Sequence, residues 1–564
     1  MTPDDGRDHA GPAGPGLAPA PTGEPPFSDP VAPPDEPVAG PPRASISELA
    51  EFLVDHAGPP IDVWAIAALL ESIGIRDRDA IERYGRADVF ALALAVQQRL
   101  PEARPGEAEE GPASLAPRRE RLGRFARIYG RGTFFFVPLL LQLVALFAVG
   151  VSQFASLDFT LREASIVAVA AALSFLVTAG FSQALGYLSP IYIESGKHML
   201  AESVSWTVLG LGAVAVLVVG AAAYAVGSLT GGYPEDDLRV AAAYYLLLSA
   251  QGLVSALLYM LRRFLLMVVA TIISLVVAGV LYKQTSLDVA QVHWIALTVG
   301  VGIELVVGGM LLHRRAANTV GELRLAALPR VRLLIARALP FGVYGLVYFT
   351  FLTADRVIAW AAGDNPLPLW FHPSYELGLD WALGAIVFAL AFLEVTVENF
   401  SRMLVPAAEQ FKVGAAREHN RAVSRFWAKQ LAYVGMIAGV GTWLAIVGAV
   451  ALHELGALGS ADEVYEDPVA RYVFGLGVLG YALLALGIAN SVFVMTLNRP
   501  WRAVASIGPG VLVSIAVGVT ATSYYSHWTA VFGMVAGAFV FAALSSWQTW
   551  RTLRHADYYS YAAY

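Results

Sequence analysis

Charged residues are rare inside the long apolar stretches of this sequence, and those few positions are where chemistry is expected. An ionised side chain in hydrocarbon needs a wet cavity or a partner. The richest stretch reads YELGLDWALGAIVFALAFLEVTVENFSR and carries Glu376, Asp380, Glu394 and Glu398. At about 100° per residue, the 376/394 and 380/398 separations close on whole helical turns, and 376/380 and 394/398 are single-turn neighbours. As a helix, this segment places all four carboxylates on one stripe roughly 40° wide, with apolar residues around the rest. The stripe is expected to line a polar cavity, with Asp380 and Glu394 deepest; the plainer alternative has Glu376 and Glu398 resting near the two interfaces. Carboxylates in a partly dry cavity attract amino sugars, protons or sodium.

The preceding apolar stretch holds Asp355 and Arg356, which are adjacent, so on a helix they point about 100° apart. Asp355 shares a face with Tyr344 and Tyr348. Arg356 falls at the depth of Glu376 and Asp380 on the next, antiparallel stretch, and is expected to pair with one of them as a structural ion pair. Glu304 stands alone in VGVGIELVVGG, either packed as a neutral, hydrogen-bonded acid or available for proton or cation coupling. Gln142, Gln153, Gln183, Tyr187, Tyr244, Gln251 and Ser255 add polar, aromatic-flanked faces suited to sugar hydroxyls, or to ordinary interhelical hydrogen bonds.

Other chemistries are excluded. The chain has no cysteine, which removes disulfides, thiolate metal sites and thiol catalysis. No P-loop, zinc-protease or serine-hydrolase motif occurs in a usable context, so no enzymatic activity, no cofactor, no metal and no nucleic-acid partner is expected.

The elements that must position these residues are membrane spans. With 57% apolar and 15% charged residues, the chain is too apolar for a soluble protein of 564 residues. About twelve stretches near the ~20 residues needed to cross hydrocarbon recur, at roughly 133–153, 164–189, 204–227, 241–260, 264–283, 292–313, 338–362, 375–400, 428–451, 469–497, 502–524 and 527–550. Arg and Lys gather in alternate connectors, and Glu235, Asp236, Asp237, Asp462, Glu463, Glu466 and Asp467 in the others, so both termini are expected in the cytoplasm.

The fold expected is an all-α integral membrane protein of about twelve transmembrane helices in two six-helix bundles around a central cavity, with a small helical soluble N-terminal module. Residues 1–44 read as a disordered Pro/Gly-rich tail, 45–103 as the module, and 104–132 as linker and basic juxtamembrane segment. In the module, Trp64, Leu69, Phe90 and Leu94 are core candidates. The first bundle spans 133–313, a basic connector 314–337, the second bundle 338–550 and a cytoplasmic tail 551–564. The run Arg118 to Arg131 is expected on the anionic inner leaflet, as is the stripe of Arg417, Arg421, Arg425 and Lys429 at i+4 steps.

The segments GVYGLVYFTFLTADRVIAW (342–360), LPLWFHPSYELGLDWAL (367–383) and FLEVTVENFSRMLVP (392–406) resemble the Pel exopolysaccharide transporter family, PelG-like members of the multidrug/oligosaccharidyl-lipid/polysaccharide (MOP) flippase superfamily. LLSAQGLVSALLYMLRRF (247–264) and SVFVMTLNRPWRAVASIGP (491–509) are weakly similar to it. The resemblance implies export of a polysaccharide, a cationic and partly deacetylated hexosamine polymer, across the bacterial inner membrane for biofilm formation. It also implies as partners membrane lipids, a cytoplasmic glycosyltransferase and other membrane subunits of a synthase complex. Asp355, Arg356, Glu376, Asp380 and Glu394 belong to the matching motifs. Three other functions remain open: a flippase for lipid-linked oligosaccharide, a small-molecule extruder of the same superfamily, and a non-transporting scaffold that recruits a synthase through the N-terminal module.

Overall fold

A computed structural model of the chain describes residues 45–57, 63–100, 118–134, 136–317, 331–410, 416–454, 466–556 and 559. The Pro/Gly-rich tail, the linker up to residue 117, residues 318–330 of the basic connector and the loop holding Asp462 and Glu463 lie outside the described residues. Among those described there is no strand, only one isolated bridge between Val151 and Ser156.

Four short helices form the module: α1 (Ile46–Ala57), α2 (Val63–Ser72), α3 (Asp77–Tyr84) and α4 (Val89–Gln97). Their shared core is Leu49, Leu53, Ile66, Leu70, Ile75, Leu92 and Val96. Of the four core candidates named from the sequence, only Leu69 packs against it, and then only partly. Trp64, Phe90 and Leu94 are exposed, because α2 and α4 are apolar nearly all round and the period could not say which face turns inward.

The membrane part begins with α5 (Arg118–Thr133) and α6 (Val137–Val149), which meet at a 56° bend and together make one candidate span. Eleven further helices are each long and apolar enough to cross a membrane. The first half continues with α7 (Leu161–Glu194), α8 (His198–Thr230), α9 (Glu235–Met260), α10 (Phe264–Gln284) and α11 (Val289–Ala317). The second comprises α12 (Val331–Ala361), α13 (Pro373–Gln410), α14 (Ala416–Glu454), α15 (Pro468–Thr496), α16 (Pro500–Tyr524) and α17 (Ala530–Leu553). Local chemistry sets several of these ends. Thr160 and Glu163 form a reciprocal capping box at the start of α7, and Gly150 closes α6 with φ of 96°, a left-handed conformation that favours glycine.

Each half has its own apolar core, one built on Leu185, Val204, Tyr244, Leu257 and Leu297, the other on Phe351, Tyr375, Leu379, Leu484 and Phe541. The halves join chiefly along α7 and α12. A Cβ built on Gly180 would sit 3.1 Å from the Gly342 carbonyl oxygen, and one on Gly345 2.8 Å from that of Ala179, so the two backbones meet through small residues.

From the sequence the basic segment before the first span is expected on the inner leaflet. In the structure α5 also packs against α13 of the second half, with Ile128 inside that half's core and Tyr129 donating to the Phe388 carbonyl at 3.4 Å. A Cβ on Gly132 would lie 2.5 Å from the Ala391 oxygen, so only glycine permits this approach. The physical reason is amphipathicity: α5 buries Ile128 and Gly132, one turn apart, while Arg127 stays exposed.

Candidate functional site

Two groupings of polar side chains lie in or beside the second half. The first, toward the end of the bundle where α12 finishes and α13 begins, is an ion-pair cluster. Arg356 on α12 donates to Glu376 and, at 2.7 Å, to Asp380, both on α13. Trp360 Nε1 donates to the second oxygen of Glu376 at 2.7 Å, and Tyr375 donates its hydroxyl to Asp355 at 3.0 Å. Tyr481 of α15 is buried in the same core as Tyr375. Glu376 and Asp355 are buried, whereas the Asp380 side chain is 57% exposed. Asp355 and Arg356 do point to different partners, as adjacent helical positions must.

The second grouping is a cavity of about 240 Å³ between the halves. Arg131 of α5, Gln183 of α7, Tyr259 of α9, Tyr344 and Tyr348 of α12 and Glu394 of α13 line it. The two α12 tyrosine rings lie parallel, 5° apart, with centroids 6.3 Å apart. Tyr259 and Glu394 face the cavity from opposite halves. At the opposite end the halves touch, with the Phe371 backbone N–H donating to Ser165 Oγ at 2.9 Å and Gly232 against the Pro368 ring.

The carboxylate stripe of α13 is therefore divided. Its outer pair, Glu376 and Asp380, is held by Arg356, and of its inner pair Glu394 faces the cavity while Glu398 is half-buried one turn further on. A common helix face fixes direction but not depth, so one stripe meets two environments. Asp380, expected among the deepest of the four, is held by Arg356 with its side chain more than half exposed. The sequence also missed Arg131, read there as a leaflet contact, because nothing local reveals that the chain bends at residues 134–136 and turns α5 beneath α13.

In the first half, Glu304 is buried and accepts from Ser255 Oγ at 2.6 Å, and Gln251 Nε2 donates to the same hydroxyl at 2.8 Å. Tyr244 and His293 share a hydrogen bond of 2.7 Å in the same bundle. Gln153 is buried and Tyr187 stacks on Phe341 of α12 with centroids 3.7 Å apart. Arg417, Arg421 and Arg425 lie exposed on the first turns of α14. Among the described residues, no group of three His, Asp or Glu side chains could hold a metal ion.

No protein-family model matches the chain, and no curated protein matches it. Solved structures do. A MATE transporter in complex with MaD5 superposes with a TM-score of 0.55 at 15% identity, over 76% of this chain and 95% of that one. A mutant of the Vibrio cholerae MATE transporter VcmN gives 0.55 at 16%, over 78% and 98%. A MOP superfamily transporter from Pyrococcus furiosus gives 0.52 at 14%, over 76% and 96%. The chain thus has the all-α membrane fold of the MATE transporters of the MOP superfamily, and the proteins it resembles are transporters rather than enzymes.

Proposed function

We propose that this protein is a membrane transporter that exports a polysaccharide through the space between its two halves. The observation that carries the reading is the cavity itself: tyrosine rings offer stacking faces, Gln183 offers hydrogen bonds, and Glu394 offers one charge where the halves meet. Aromatic faces beside amide and carboxylate groups suit pyranose rings, whose hydroxyls need partners and whose C–H faces stack. The narrower reading, a PelG-like exporter of a cationic amino-sugar polymer, is supported by the segments around residues 342–406 and by Glu394. Arg131 opposes that acid in the lining, so selection for an ammonium group rests on Glu394 and not on a continuous acidic wall.

At about 240 Å³ the cavity is smaller than the ~300 Å³ at which sites for drug-sized ligands begin. It encloses a piece of a polymer, and passage of a chain requires the halves to part. Residues 45–100 then serve as the docking module for a cytoplasmic synthase subunit in the inner-membrane assembly.

The test is polymer secretion normalised to membrane protein level for Glu394→Gln and for Tyr344→Ala plus Tyr348→Ala. Normal abundance with lost secretion supports the reading. Unchanged secretion from both overturns it, and uptake or efflux of a small cationic dye that depends on Glu394 instead assigns the chain to small-molecule extrusion.

A further inference from the structure

At the end of the bundle where α14 begins and α17 finishes, four arginines converge on a recess of about 440 Å³. Arg417, Arg421 and Arg425 stand one above another on α14, one turn apart, and Arg554, just past the last turn of α17, closes the far side. The Arg554 guanidinium lies 3.6 Å from the centroid of the Trp550 ring, which fixes that side chain in place. Ser424 sits among the four with a further hydroxyl. Among the described residues, no carboxylate lies within 4.0 Å of any of these guanidinium groups.

Four like charges around one recess repel one another, and a bound anion relieves that repulsion. Guanidinium groups are planar forks that match phosphate oxygens two at a time, which an ammonium cannot do. The recess also has an interfacial character. Trp547 and Trp550 are both partly exposed on α17, and the Arg551 guanidinium lies 5.7 Å from the Trp547 ring centroid, so aromatic and cationic groups alternate at this edge. A one-helix basic stripe would lie flat on any anionic surface; a recess walled by two helices and a ring-braced arginine has a defined shape.

We infer that this recess is a specific site for a phosphate group carried on a lipid, in which Arg417, Arg421, Arg425 and Arg554 hold the phosphate oxygens and Trp550 borders the headgroup. The site is separate from the cavity between the halves, so it stands or falls independently of the transport reading. Free inorganic phosphate offers the same oxygens without the acyl chains, and the experiment separates the two.

The full-length protein in nanodiscs of phosphatidylcholine is titrated with phosphatidylglycerol, and bound lipid is counted by native mass spectrometry. Three forms are compared: the parent, the combined Arg421→Gln, Arg425→Gln and Arg554→Gln variant, and the matched lysine variant of the same three positions. Arg332→Gln plus Arg337→Gln serves as the charge control. The expected result is one tightly held phosphatidylglycerol per chain in the parent and control. Its affinity falls at least about tenfold in the glutamine variant, since three of the four cations facing the phosphate are lost. The lysine variant recovers only part of it. Displacement of the lipid by millimolar inorganic phosphate would show that the phosphate alone is recognised and would overturn the lipid assignment. Full recovery with lysine, or equal loss in the control, would reduce the recess to a diffuse basic surface and overturn the site.

Discussion

Tyr259, on the last turn of α9 in the first half, and Glu394, in the middle of α13 in the second, line one cavity from opposite halves. The pair spans the boundary along which the halves must separate if the central cavity is a passage, so a hydrogen bond from the Tyr259 hydroxyl to Glu394 would latch the halves as well as line the cavity. Tyr259→Phe removes the hydroxyl while keeping the ring. The expected outcome is unchanged abundance with altered secretion per molecule. On a Leu390→Cys background, which sets a single thiol in the cavity wall, the Phe variant should also react faster with a membrane-impermeant thiol reagent. Identical labelling with and without the Tyr259 hydroxyl would show that the hydroxyl does not restrain the halves.

Removing Arg356 leaves Glu376 buried without its cation, and breaking a buried pair by deleting one partner costs on the order of 3–5 kcal/mol. Arg356→Gln is therefore expected to lower the melting temperature and the membrane abundance. Asp380→Asn should do much less, because that carboxylate is more than half exposed. Thermal unfolding of the purified single variants decides the order; equal losses would mean that the outer acids share the load evenly.

The contact between α7 and α12 depends on the absence of side chains. A Cβ at Gly345 would lie 2.5 Å from Gln183 Cγ and 2.8 Å from the Ala179 oxygen. Gly345→Leu should force the helices apart and displace Gln183 from the cavity, whereas the same change at Gly302, where nothing lies within 4 Å, should be tolerated. Secretion and melting temperature of the two variants make the comparison.

His372 lies between α12 and α13 with its ring stacked 4.0 Å from that of His527. Burial, and then the neighbouring imidazole, push its pKa down to about 4 from an ordinary value near 6.5. The unfolded chain binds this proton more readily, so the contribution of His372 is complete above pH 6.5, declines as pH falls toward 4 and levels off below. His372→Gln should flatten that part of the melting temperature profile. An unchanged slope between about pH 6.5 and 4.5 would assign acid sensitivity to other groups.

The orientation read from the arginine pattern is open to direct test. A reporter fused after Leu328 is expected in the cytoplasm and one fused between Ser460 and Asp467 outside the cell. The opposite signal at either site would invert the bundle and place the four-arginine recess on the outer leaflet.

Much of this architecture is legible in the chain because hydropathy sets span length and charge sets the connectors. The span edges read from sequence fall within the observed helices α7 to α11 and α13, while helices such as α14 run on past the apolar stretch as charged turns. Arg356 could be matched to Glu376 and Asp380 because antiparallel neighbours at one depth are a one-dimensional inference. Glu394 and Tyr259 lining one cavity is not of that kind, since it depends on how the halves are set against each other. The same holds for Arg131 and Arg554, whose sites are completed by helices distant in sequence. In the module, the periodicity of α2 and α4 is too weak to tell Leu92, which is buried, from Leu94, which is half exposed.

The bend between α5 and α6 couples parts that the two-bundle description keeps apart. α5 is seated on α13 in the second half while α6 runs beside α10 in the first, so one short elbow at residues 134–136 straddles the seam. Ahead of α5 in the sequence stand residues 101–117 and, before them, the helical module. If the module grips a partner, as proposed, any displacement passed on to α5 would bear on the second half through α13, and the elbow lies between that contact and the first half.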